Sequence, residues 1–75
     1  MAVLDEDDII LKKQITSRIK EIREAAGLSQ TQLAALMLID RQTIFKWEQD
    51  GISIYSISKV CKALNISLSE FFKDM

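Results

Sequence analysis

The sequence predicts a compact all-α domain of five short helices, and three observations carry that prediction. Apolar residues recur at helical spacing and not in alternation, as in Leu11, Ile15, Ile19, Ile22 and Ala26, which fall on one stripe. Ser, Asp and Gly residues stand where helices would start and stop. The chain has 75 residues, two Gly and no Pro, enough for one small domain and no long structureless linker.

The first helix is expected over about residues 9 to 26. Lys12, Lys13, Arg18, Lys20, Glu21 and Glu24 lie off its apolar stripe, as a solvated face should. Gly27 closes it, because a left-handed residue after a helix carries no steric cost when there is no Cβ. Ser29-Gln30-Thr31-Gln32 is a capping-box pattern and opens a second helix with Leu33, Ala34, Leu36 and Met37 inside. Asp40 is placed to cap a third helix over about 41 to 48, with Thr43 at its third position and Ile44 and Trp47 inward. Ser53 caps a fourth helix to about Leu64, with Ile57, Val60, Cys61 and Leu64 inside and Asn65 at its end. Ser67-Leu68-Ser69-Glu70 is a second capping-box pattern and opens a short fifth helix with Leu68, Phe71 and Phe72.

Composition narrows the function. A single Cys forbids an internal disulfide, and with no His a structural zinc site built from protein ligands alone lacks donors. The missing His also removes the commonest general base, and no glycine-rich phosphate loop is present, so no enzyme and no cofactor are expected. The longest apolar run, Leu33 to Ile39, is seven residues, too short to span a bilayer, and no secretory leader pattern is seen. A cytoplasmic protein, with no membrane partner, is the expectation. The net charge of −1 is uneven: residues 1–8 hold four acids and no base, while residues 9–75 hold ten bases and seven acids. We therefore divide the chain into an acidic N-terminal tail, 1–8, and a single domain, 9–75. Four consecutive acids do not converge on one ion, so a solvated tail or helix-start charge, with Asp7 or Asp8 placed to cap the first helix, is the better reading of Asp5–Asp8 than metal binding.

Only about three residues, Leu38 to Asp40, separate the second and third helices. So short a connection forces a large crossing angle, the helix-turn-helix geometry, and presents the third helix outward. Arg41, Gln42, Phe45, Lys46 and Gln49 then lie away from the core. An arginine and an amide on one face suit guanine and adenine edges in a major groove. Phe45 is expected to pack sideways against the fourth helix, the alternative being a thymine methyl or sugar.

The segments Arg18-Ile19-Lys20-Glu21-Ile22-Arg23, Gly27-Leu28-Ser29-Gln30, Gln32-Leu33-Ala34, Ile39-Asp40-Arg41-Gln42-Thr43-Ile44, Lys46-Trp47-Glu48 and Ala63-Leu64-Asn65-Ile66-Ser67 occur in an order and spacing that resemble the Cro/repressor-type (Xre-like) helix-turn-helix proteins of bacteria and phages. The resemblance runs from about Ile15 to Phe72 and implies a five-helix, lambda-repressor-like fold whose third helix reads DNA. It also implies a sequence-specific transcriptional regulator, with Gln30 on phosphate, Arg41, Gln42 and Lys46 at base edges, Thr43 among the DNA-binding residues, and a partly buried Arg23–Glu48 ion pair. A protein-interaction or antitoxin-like module with the same fold is the alternative. Leu38 stands where the family usually has Gly, so the turn is expected to adopt another conformation; Asp50 is unfavourable beside DNA.

One reading helix contacts about half a turn of duplex, which favours a homodimer on a palindromic operator. Leu68, Phe71, Phe72, Ile9 and Ile10 are the expected contacts between copies, with residues 9–14 extending the first helix.

Overall fold

A computed structural model describes residues 6–74. Met75 and the first five residues of the expected acidic tail, Asp5 among them, lie outside the described residues. The described chain is all-helical: α1 (Glu6–Ala25), α2 (Gln30–Met37), α3 (Arg41–Gln49), α4 (Ile54–Leu64) and α5 (Leu68–Phe71).

Two clusters of buried side chains make one core. Ile19 and Ile22 of α1 pack with Ile57, Val60 and Cys61 of α4 and with Phe71 of α5. Leu33 and Ala34 of α2 pack with Ile44 of α3. Met37, Trp47 and Leu64, each partly buried, border both clusters and join them. That shared border holds the α2–α3 pair against the rest of the molecule.

Helix ends follow local chemistry closely. At α2, Ser29 Oγ accepts from Gln32 N at 3.0 Å and Gln32 Oε1 accepts from Ser29 N at 2.8 Å, a complete capping box. Ser53 Oγ accepts from Ser56 N and Ser67 Oγ from Glu70 N; at Ser67 the structure shows this forward bond only. Three helices terminate alike. Gly27, Leu38 and Asn65 adopt left-handed backbones, with φ of 75°, 59° and 58°. The next residue in each case donates five residues back: Leu28 to Arg23 O, Ile39 to Ala34 O, Ile66 to Cys61 O. This is the Schellman pattern, which satisfies carbonyls the helix leaves open.

Several expectations are corrected. The turn at Leu38 keeps the left-handed conformation despite the leucine, whose side chain is 92% exposed. The α2 ladder makes that closure favourable enough to carry a Cβ cost of about 1–2 kcal/mol. Asp40 occupies the N-cap of α3 with extended backbone, but its side chain makes no cap hydrogen bond; Thr43 N donates to the Asp40 carbonyl instead. Helix α1 starts at Glu6, three residues before the expected start, so the expected tail does not extend through residue 8; Glu6, Asp7 and Asp8 form the first turn, the helix-start alternative for these acids. Acidic side chains favour that position, beside the positive end of the helix dipole. Ala26 and Leu36, assigned to inner faces, are exposed.

Arg18, assigned to the solvated face, is instead a tie between α1 and α5. Its Nε donates to the Phe71 carbonyl and its Nη2 to the Glu70 carbonyl, both at 2.7 Å, and Nη1 pairs with Glu21. The planar guanidinium fork caps the end of α5: it supplies the donor for the Phe71 carbonyl and a second one for the Glu70 carbonyl, which also accepts from Lys73 N.

Candidate nucleic-acid interface

Helix α3 is built from one apolar row and one polar face. Ile44 is fully buried and Trp47 partly so, which turns Arg41, Gln42, Phe45, Lys46 and Gln49 to the outside, and all five are exposed. Arg41 and Phe45 share a row at i, i+4, and the guanidinium lies 6.0 Å from the Phe45 ring centre. Phe45 is 43% exposed and belongs to neither core cluster, so the expected sideways packing against α4 is not found. Its ring lies on the outward face beside Arg41. Gln42 and Lys46 form the neighbouring row, and Thr43 is half-buried at the edge of the core.

The angle at which α3 is presented depends on a small polar network beneath it. Arg23 of α1 donates from Nε to Glu48 Oε2 at 2.8 Å and from Nη2 to Glu48 Oε1 at 3.2 Å. Its Nη1 donates to the Leu28 carbonyl at 2.7 Å. The two side chains are only 9% and 4% exposed. The hydrogen bonds to Glu48 hold the Arg23 proton above the ordinary arginine value, outweighing burial, which acts in the opposite direction. Gln30 Nε2 donates to Glu48 Oε1 at 3.2 Å, so the start of α2 is fastened to the same carboxylate. Gln30 thus sits half-buried between α2 and α3, while Arg41, Gln42 and Lys46 stand clear of the network.

Charge on this face is mixed. Arg41 and Lys46 are basic, but Asp40 precedes α3, Asp50 follows it, and both acids are exposed. Among the described residues no group of three or more His, Cys, Asp or Glu is placed to hold a metal ion, and no helix is long and apolar enough to cross a membrane. Sequence reading missed Arg18 and a second exposed pair, Lys59 over the Tyr55 ring at 5.0 Å on α4. Their i, i+4 spacing was the available signal.

The helix-turn-helix family model matches residues 19–71. The HTH-type transcriptional regulator PuuR of Escherichia coli (strain K12) is 41% identical over 59 residues, covering 76% of this chain and 32% of that protein. PuuR of Shigella flexneri matches to the same extent. The chain spans about a third of the length of these curated relatives. Among solved structures, a point mutant of the restriction-modification controller protein C.Esp1396I has a TM-score of 0.77 at 31% identity, covering 84% of this chain and 87% of that one.

Proposed function

This chain belongs to the helix-turn-helix family, of the Cro/repressor (Xre-like) type, and from that membership we propose that it binds duplex DNA sequence-specifically and regulates transcription. The observation that carries this reading is the outward face of α3: two bases, an amide and an aromatic, all exposed, on a helix anchored by Ile44, Trp47 and the Arg23–Glu48 pair. Arg41, Gln42 and Lys46 reach base edges in the major groove, Thr43 lies beside them, and Phe45 meets a thymine methyl or sugar. Gln30 contacts phosphate at the start of α2, where unpaired helix N–H groups favour an anion, and its tie to Glu48 sets its position relative to α3.

The protein acts without a cofactor or a catalytic step, in the cytoplasm where its DNA lies, and as a homodimer on a palindromic operator. Two copies related by a twofold axis place two α3 helices on successive major-groove faces, about 34 Å apart. The relatives' names, a transcriptional regulator and a controller protein of a restriction-modification system, support a role in controlling gene expression.

The acids at Asp40 and Asp50 keep the phosphate contribution small, so recognition leans on base contacts. Fluorescence titration of random and selected duplexes over a range of salt checks this. A DNA reader shows affinity falling with salt for both duplexes and a large margin for the selected one. A protein-interaction module of the same fold binds neither.

A further inference from the structure

The exposed first half of α1 has an order that neither the core nor the shared domain explains. Acids Glu6, Asp7 and Asp8 are followed by Ile9, Ile10 and Leu11, then by Lys12 and Lys13. The three apolar residues are 55%, 51% and 50% exposed. The first buried residue of α1 is Thr16, and the family match begins only at residue 19. Leu11 and Lys12 lean toward the body, bordering a shallow depression with Ile15, Gly51 and Ile52. That leaves a distinct outward stripe. At helical spacing, Glu6, Ile9, Ile10 and Lys13 stand at i, i+3, i+4 and i+7 and share one face.

We infer that this stripe is a contact between two copies of the chain, with the α1 helices antiparallel across a twofold axis that passes between Ile9 and Ile10. The inference rests on the homodimer reading above and says where the copies meet. Its basis is the symmetry of the stripe: reversed end to end, it reads with opposite charge. In an antiparallel pair Ile9 of one copy lies on Ile10 of the other. Glu6 faces Lys13 at both ends, as a self-complementary twofold contact requires. A parallel pair sets Glu6 on Glu6 and Lys13 on Lys13, and adds the repulsion of aligned helix dipoles. Neither Glu6 nor Lys13 has a side-chain ion pair within the described chain that would compete.

The stripe spans eight residues, about 12 Å of helix. A contact of this length falls well below the area of a standard stable interface. It therefore gives a reversible dimer whose population follows protein concentration.

Sedimentation equilibrium of the full chain without DNA tests this. The wild type self-associates reversibly, and more weakly at high salt. Glu6→Lys and Lys13→Glu each weaken self-association by about tenfold, since each replaces two attractions with two repulsions. An equimolar mixture of these two variants regains dimer as a heterodimer, and the double variant Glu6→Lys/Lys13→Glu regains it alone. All altered positions are exposed, and far-ultraviolet circular dichroism verifies that the helices persist. A dimer insensitive to both single variants overturns the inference and leaves the homodimer reading standing with another surface. A wild type that stays monomeric at every concentration overturns both.

Discussion

Glu48 on α3 is held from two sides, by the Arg23 guanidinium of α1 and by the Gln30 amide of α2, and Arg23 is its main partner. The pair is almost fully withdrawn from water and makes two hydrogen bonds, so its chief effect is geometric: it fixes the pitch of α3 relative to both neighbours. Whether such a pair adds net stability depends on the balance of desolvation and attraction, but removing one member leaves a buried charge without its partner. Glu48→Ala is expected to destabilise the fold by about 3–5 kcal/mol. Arg23→Met/Glu48→Leu, which removes both charges, should recover much of that loss in thermal unfolding while weakening DNA recognition. A double variant no more stable than Glu48→Ala would contradict this account of the pair.

Leu38 closes α2 with a backbone that favours glycine, and its side chain gains little packing in return. Leu38→Gly is expected to raise stability by about 0.5–1 kcal/mol, the relief of Cβ strain exceeding the extra freedom of glycine in the unfolded chain. For a domain of this size that is an increase in Tm of roughly 3–6 °C. Leu38→Ala keeps the Cβ and should show no comparable gain. A fall in Tm for the glycine variant would show that the leucine side chain packs after all.

Cys61 is buried in the α1–α4–α5 cluster, and burial pushes its thiol above the ordinary range. Below the unfolded-state pKa of about 8.5 both states keep the proton and the group is neutral with respect to stability. As pH rises past that value the unfolded thiol ionises first, the folded state binds more protons, and stability falls until the raised folded pKa is reached. Cys61→Ala should flatten this part of the alkaline loss in a thermal melt series. Cys61→Ser should lower stability by about 1–3 kcal/mol, the cost of a buried hydroxyl without a partner, and leave DNA preference unchanged. Rapid reaction of the thiol with a bulky reagent in the folded protein would contradict the burial.

What the sequence made legible was local. Ser29 and Gln32 are three residues apart, and Gly27 and Asn65 are residue types that accept left-handed backbone, so these helix ends could be read directly. Ile44 and Trp47 followed from period alone, and with them the outward placement of Arg41, Gln42 and Lys46. Features set by long-range contact escaped. Arg18 reaches Phe71 across 53 residues of sequence, which no periodic pattern signals. Leu38 takes a conformation its own propensity opposes, because the Schellman bonds of the α2 end outweigh it. Phe71 shows the same limit: read as a contact between copies, it is fully buried in its own core and has no surface to offer a partner.

Selection of bound duplexes from a random pool shows whether the outward face of α3 reads a DNA sequence. Wild-type protein is expected to enrich a palindrome whose half-sites each contain a guanine and an adjacent adenine, the bases suited to Arg41 and Gln42. Arg41→Ala and Gln42→Ala should each relax one or two adjacent positions of that motif, at about 1–3 kcal/mol on the selected site, whereas Gln30→Ala weakens all sequences about equally. No enriched motif, or a motif that the Arg41→Ala variant enriches unchanged, would contradict the claim.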